Sequence, residues 1–311
     1  MARATNTKSR RRHSRAKRAV NAVAGSLAVR ALKGLRLLDT DRVIRASGRM
    51  LRTIGPLLPE HRIARANLIA AFPEKSEAEI ESILRGTWDN LGRVGAEFAH
   101  LDRLWEFDPE NPEKFTRIEV QRATIDQFLR LRDDGKPALV FAAHLANWEL
   151  PAICAATYEL DSAVLYRRPN IAALNQWIGE TRASSMGSMI ATSLDAPVRI
   201  AEALERGAHV GMLVDQYYDR GVPVTFFGRG TKANPLLARL AQHFDCPIHG
   251  TRMVRLPGNR FRAELTEAIT PARDEQGRID IAGTTQIIMS VIESWIREHP
   301  EQWLWQHRRW R

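Results

Sequence analysis

Residues 137–151 read PALVFAAHLANWELP, and their pattern decides the class of the fold. PALVFAA (137–143) is a short apolar run opened by a proline, which predicts a buried strand. His144 falls just past its end. Asn147 has the side chain of a helix N-cap, and Pro151 then sits in the first turn, where a missing N–H is tolerated. Strand, polar loop and helix in succession form the unit of an α/β sheet, whose ligands bind at the carboxyl ends of the strands. His144 and Glu149 lie there, five positions apart, and two readings of them stand. Glu149 holds the imidazole in one tautomer so that His144 can take a proton from an alcohol. Alternatively, Glu149 only stabilises a helix start, and His144 is a solvent-facing loop residue.

Outward from this unit the same alternation continues. Short apolar runs predict strands at SAVLY (162–166), HVGMLV (209–214), VPVTFF (222–227), CPIHGTRMV (246–254) and FRAELT (261–266). Helical patterns lie between them at 147–158, 170–185, 195–207 and 232–244, and a long one closes the chain over 278–300. The fold class expected is α/β, a mixed sheet with helices on both faces. Upstream, 39–106 reads as helices, including 61–72 and 76–101, with Ser76 and Glu79 spaced as a capping box. DPENPEK (108–114) is a turn-rich hinge between this helical part and an α/β part over 107–311. Together they make one domain, 39–311.

Charge singles out the segment before that domain. Residues 1–36 hold eleven of the 46 Lys and Arg and no acid, leaving 35 basic residues against 36 acidic ones in the rest. The net charge of +10 therefore belongs to one segment, which seeks a polyanion. Val20, Val23, Ala24, Leu27, Ala31, Leu35 and Leu38 recur at helical spacing among Arg30, Lys33 and Arg36, so 1–38 reads as a basic amphipathic element for an anionic membrane surface. Its longest uncharged run, 19–29, is too short to span a bilayer. Aromatic residues are absent among the basic ones, so nucleic acid is not the expected partner. Cys154 and Cys246, far apart in apolar surroundings, suit no disulfide framework or zinc knuckle. P-loop, GxGxxG, HExxH and GxSxG patterns are all missing, and no metal or cofactor is expected.

Several ordered blocks carry a family resemblance: RIARANLIAAFPEKS (62–76), WDNLGRVGAE (88–97), the HLANWE of 144–149, VDQ (214–216), GVPVTFFGR (221–229) and PEQWLWQHRRW (300–310). In this order, over most of the chain, they resemble the bacterial lipid A late acyltransferases, the lauroyl/myristoyl transferase family of the glycerolipid acyltransferase superfamily. The resemblance implies an O-acyltransferase on the cytoplasmic face of the inner membrane, peripheral or shallowly anchored. It would move a fatty acyl chain from acyl carrier protein to a hydroxyl of a lipid A precursor. It also implies His144 as general base and Glu149 as the acid of its dyad. Another phospholipid, glycolipid or aminolipid acceptor is the near alternative; a non-catalytic membrane- or nucleic-acid-binding protein is the distant one.

The substrate-binding candidates each have a plainer alternative. Asn147 belongs to the dyad loop. Tyr166, Arg167 and Arg168 match the family's Tyr-Arg-Pro stretch with a doubled arginine, and guanidinium forks there suit phosphate as well as surface ion pairs. Arg182 adds a third cation or lies on a solvated helix face. Asp215 and Gln216 end a strand, where they orient a hydroxyl, support the site or make a turn. Phe226, Phe227 and Gly228 line the acyl or acceptor pocket by resemblance, or else belong to the core. Trp303, Trp305 and Trp310 with their arginines have an interfacial composition, or simply pack onto the domain.

Overall fold

A computed structural model describes residues 25–26, 29–30, 32–111, 114, 116–167 and 172–311. Most of the basic segment and its expected amphipathic helix, and also Arg168, lie outside the described residues.

Three helices open the domain: α1 (Thr40–Ile54), α2 (Pro59–Ala71) and α3 (Glu77–Glu97). Asp39 caps α1 by accepting from the Arg42 N–H, and proline opens α2. Ser76 and Glu79 cap α3 reciprocally, as the sequence predicted. α1 turns Val43, Ile44 and Gly48 inward and leaves Arg42, Arg45, Arg49, Met50 and Ile54 outward.

The main sheet has the strand order β1 (Ile118–Val120), β9 (Arg260–Leu265), β8 (Ile248–Leu256), β2 (Leu139–Ala142), β5 (His209–Leu213), β3 (Ser162–Tyr166) and β4 (Ser188–Ala191). Neighbours run parallel except β8 and β9. The connecting helices are α4 (Arg122–Asp133), α5 (Leu150–Thr157), α6 (Ala172–Ser185), α7 (Ala196–Glu205), α8 (Leu236–Phe244) and α9 (Ile281–Glu298). The mixed α/β sheet expected from the sequence is thus present.

Two expectations about local structure are corrected. The VPVTFF run does not join the main sheet. Its residues Val222–Phe226 form β6, paired antiparallel with β7 (Arg229–Ala233) in a separate ribbon. Phe227 and Gly228 between them have φ of +53° and +67°, the two left-handed residues that a tight hairpin turn requires. The helix expected from Asn147 begins instead at Leu150, with Glu149 in the cap position and Pro151 in the first turn. Asn147 Oδ1 accepts the Glu149 N–H at 3.1 Å, a local turn ahead of the helix.

The two faces of the sheet differ. Leu139, Phe141, Val210, Met212 and Ile248 belong to a dense core with α7, α8 and α9, and each fully buried large side chain contributes roughly 1.5–3 kcal/mol there. Phe141 stacks on Trp295 with ring centroids 5.5 Å apart. Gly250 permits that stack, since a Cβ there would fall 2.6 Å from Phe141 and 2.8 Å from Trp295. On the opposite face Val140, Ala142, Val164, Gly211 and Leu213 line a cavity instead, together with residues of α4 and α5.

Candidate active site

His144 lies just beyond β2, and Asp215 just beyond β5. These strands pair in parallel with Ala142 opposite Leu213, so residues two positions further on share a row. The imidazole Nδ1 is 2.8 Å from Asp215 Oδ1, and the His144 N–H donates to Asp215 Oδ2 at 3.0 Å. Asp215 is fully buried. Burial alone would raise its pKa, but the His144 charge and hydrogen bonds outweigh that and hold it far below the usual carboxylate range. For His144 burial pulls the pKa down, and the Asp215 charge and hydrogen bond more than reverse it, so the net shift is upward.

This corrects the expected His144–Glu149 hydrogen bond. Glu149 is bound by Arg182, Nε to Oε2 at 2.9 Å and Nη2 to Oε1 at 2.5 Å. The Trp148 indole also donates to its Oε1, at 3.1 Å. The cause is geometric: Glu149 caps α5 in helical backbone conformation, where its side chain meets α6. Glu149 acts on His144 through space, its charge adding to the upward shift while that of Arg182 opposes it. Arg182 is accordingly no spare cation. Its guanidinium is neutralised by Glu149 and lies over the rings of Phe98 and Tyr166, at 5.6 and 5.7 Å.

The loop carrying His144 is held from behind. Ala146 takes φ +45°, its N–H donates to the Gln302 carbonyl at 2.9 Å, and the Leu304 N–H donates to the His144 carbonyl at 3.1 Å. Asn147 is fully buried and donates to Glu97 Oε2 at 3.0 Å. Glu97, also fully buried, is gripped by the Arg255 guanidinium. Asn147 therefore braces the loop rather than lining the cavity.

The cavity itself measures about 690 Å³. His144, Glu149, Tyr166, Arg167, Arg182 and Gln216 line it at the carboxyl end of the sheet, and Leu160, Ser162 and His209 at the amino end. It thus runs the length of five-residue strands, ~13 Å. Between those ends the lining is mainly apolar, from Val164, Leu213 and Met253 on the sheet to Ile125, Phe128 and Ala152 on the helices. Gln216 is exposed, with its amide nitrogen 3.4 Å from His144 Nε2. Arg167 is exposed and has no ion pair among the described residues. Cys154 also lines the cavity, and burial pushes its thiol up to about 12, which leaves it protonated and unreactive.

Phe226, Phe227 and Gly228 do not line the cavity, contrary to the expectation. Phe226 and Phe227 sit edge-to-face at 5.0 Å within an aromatic cluster with Trp303, Trp305 and Trp310. Gly228 completes the hairpin turn. The C-terminal tryptophans follow their plainer reading, with Trp303 and Trp305 buried.

Sequence reasoning missed what the chain end does at this site. The indole N–H of Trp303 donates to Asp215 Oδ2 at 2.7 Å. The only signal was a tryptophan in one of the ordered blocks. A histidine held by a buried carboxylate at one end of a long, mainly apolar cavity is an arrangement that suits transfer of a chain-bearing group to a hydroxyl. A search of curated proteins returned no match. The family model described as bacterial lipid A biosynthesis acyltransferase matches residues 9–311. Since that match covers nearly all of the sequence, the chain belongs to the bacterial lipid A biosynthesis acyltransferase family and is an acyltransferase.

Proposed function

We propose that this protein transfers a fatty acyl chain from the thioester of acyl carrier protein to a hydroxyl of a phosphorylated lipid A precursor, with His144 as general base and Asp215 as its partner. The observation that carries the reading is the cavity: His144 lines one end of it, and the rest is a mainly apolar channel of chain-like proportions.

The chemistry follows from the geometry. Asp215 on Nδ1 fixes the tautomer in which Nε2 has a free lone pair. Nε2 takes the proton of the acceptor hydroxyl as its oxygen attacks the thioester carbonyl carbon. The imidazolium formed is stabilised by buried Asp215 and, through space, by Glu149. The Gln216 carboxamide, 3.4 Å from Nε2, supplies an N–H donor for the oxyanion. Collapse of the tetrahedral intermediate breaks the C–S bond, and the departing thiolate takes the proton from His144. An ester and the carrier thiol result. Arg167 at the cavity mouth supplies charge for an anionic acceptor.

A membrane surface is the proposed place of work. The basic segment 1–36 is one support. The outer face of α1 is another, with Arg42, Arg45, Arg49 and Arg52 beside exposed Met50 and Ile54 and followed by exposed Leu57 and Leu58. Among the described residues no helix is long and apolar enough to cross a membrane.

The test is reconstitution with acyl carrier protein loaded with a labelled fatty acyl thioester and a lipid A precursor in anionic vesicles, followed by mass spectrometry of the product lipid. One added acyl chain, lost in His144→Ala, is expected. Transfer to phospholipid or glycolipid but not to the precursor would replace the acceptor; undiminished transfer by His144→Ala would overturn the mechanism.

A further inference from the structure

The end of the chain reaches both members of the catalytic pair. Trp303 forms an isolated antiparallel bridge with Leu145, the residue after His144. Its indole N–H reaches Asp215 Oδ2 at 2.7 Å, the same oxygen that accepts the His144 backbone N–H. Oδ1 is thereby left to the imidazole.

We infer that Trp303 is a positioning residue for the acyl transfer, its indole N–H fixing the Asp215 carboxylate so that one oxygen faces His144 Nδ1. The inference rests on the proposed reaction only for its kinetic readout.

The indole is placed independently of the carboxylate it serves. Trp303 is 1% exposed and packs edge-to-face against Trp305 at 4.6 Å and Phe226 at 5.9 Å. A donor held by its own packing restrains a carboxylate that would otherwise rotate about its Cβ–Cγ bond. It also draws electron density from Asp215 without adding charge, which moderates the pull of Asp215 on the imidazolium. The charged and titratable groups around the pair are Glu149, Arg182, His307 and Arg309. Arg309 and His307 come from the same tail, but neither hydrogen-bonds Asp215. Arg309 is spent on Thr231 Oγ1, the Lys232 carbonyl and Met289. Trp303 is the tail's direct link to the acid.

Removing the donor should therefore strengthen the hold of Asp215 on the proton of His144 while loosening its aim. The test uses the full chain with Trp303→Phe, and with benzothienylalanine at 303, an isostere that lacks the N–H and keeps the ring packing. Histidine-labelled NMR follows the His144 titration, and kcat/KM is measured against pH. Both variants should move the imidazole titration and the acid limb upward together, by about half to one pH unit. They should lower kcat about tenfold, with the donor KM unchanged. In an Asp215→Asn background the same change should cost less than about twofold, because the effect runs through Asp215. An unmoved His144 titration in the isostere, or an equal loss in the Asp215→Asn background, would show that Trp303 only fills the core. Absence of acyl transfer by the wild type would defeat the proposed reaction, and the titration would still decide this inference.

Discussion

Arg182 binds both oxygens of Glu149, whereas the imidazole of His144 is bonded by Asp215. Two carboxylates near one histidine thus have different work, and amide substitution separates them. Asp215→Asn keeps the shape but lets the side chain favour the wrong tautomer, so kcat should fall on the order of 100-fold or more. Glu149→Gln leaves the His144–Asp215 bond in place and should cost kcat about tenfold or less. It should also lower the melting temperature, since Arg182 loses its counter-charge. Steady-state kinetics and thermal melts of the two variants are the check; equal kinetic losses would mean that Glu149 works on the imidazole directly.

That division of labour also marks where the sequence stopped being legible. The strand, His144 and the loop were readable because they are local: six consecutive apolar residues, a polar interruption and a proline. Glu149 was assigned to His144 because the two flank one strand end five positions apart and the family resemblance implies that dyad. Asp215 is 71 residues away, and only the insertion of β5 beside β2 brings it into the same row. Strand order is a tertiary property that no spacing encodes. Phe226 and Phe227 misled for a related reason, since an aromatic pair before a glycine looks alike in a pocket wall and in a hairpin turn. The solid and hollow faces of the sheet were invisible too, because a buried parallel strand is apolar on both sides.

The raised pKa of His144 fixes the sign of the pH dependence. As the proposed general base, His144 must be neutral, so kcat/KM should fall as pH drops through a value above the ordinary 6.5 of histidine. The limb should lie on the alkaline side of that value, and in Asp215→Asn it should move toward lower pH as the counter-charge disappears. A pH–rate profile of each enzyme decides this.

His307 gives a stability signature of opposite sense. Burial is the main cause that pushes its pKa down to about 4. Between that value and 6.5 the unfolded chain binds a proton that the native state does not, so this residue favours the native state less as pH falls through that window. The contribution amounts to about 3 kcal/mol across the window. His307→Leu should flatten the fall in denaturant midpoint between pH 6.5 and 4 relative to wild type. Parallel curves for the two proteins would show that His307 is not held neutral.

Glu97 and Arg255 are a buried ion pair behind the loop that carries His144, with Asn147 and Asn90 completing their hydrogen bonds. Losing one partner leaves an uncompensated charge in the interior. Glu97→Ala should destabilise by about 3–5 kcal/mol. Glu97→Leu combined with Arg255→Leu should recover much of that loss, because a desolvation cost disappears with the pair. Urea unfolding of the single and double variants measures the difference.

Docking on anionic lipid should depend on α1 and the turn that follows it. Leu57 is 84% exposed, beside Leu58 and below the arginines of α1. Leu57→Asp should weaken sedimentation with phosphatidylglycerol vesicles about tenfold without lowering the melting temperature, as this side chain stands almost wholly in solvent. Deleting residues 1–38 should weaken it independently. Unchanged sedimentation in both would place the lipid contact elsewhere.

Gly211 offers the most direct test of the cavity as the seat of an acyl chain. It lies mid-strand in β5, opposite Val140 and Val164, on the hollow face of the sheet. A Cβ built there meets only the Val140 carbonyl and a Val164 methyl, both at 4.0 Å. A Cβ therefore fits without disturbing the backbone, and larger side chains extend from it into the channel between its His144 end and its amino end. Gly211→Val and Gly211→Leu should leave His144 and Asp215 in place and shorten the space beyond them. With a ladder of acyl carrier protein thioesters, the preferred chain should become shorter in both variants, more so for leucine. Loss of the longest substrate should appear as raised KM, with kcat for short chains retained, since the catalytic pair is untouched. A uniform fall in kcat for every chain length would mean that the cavity does not hold the donor chain.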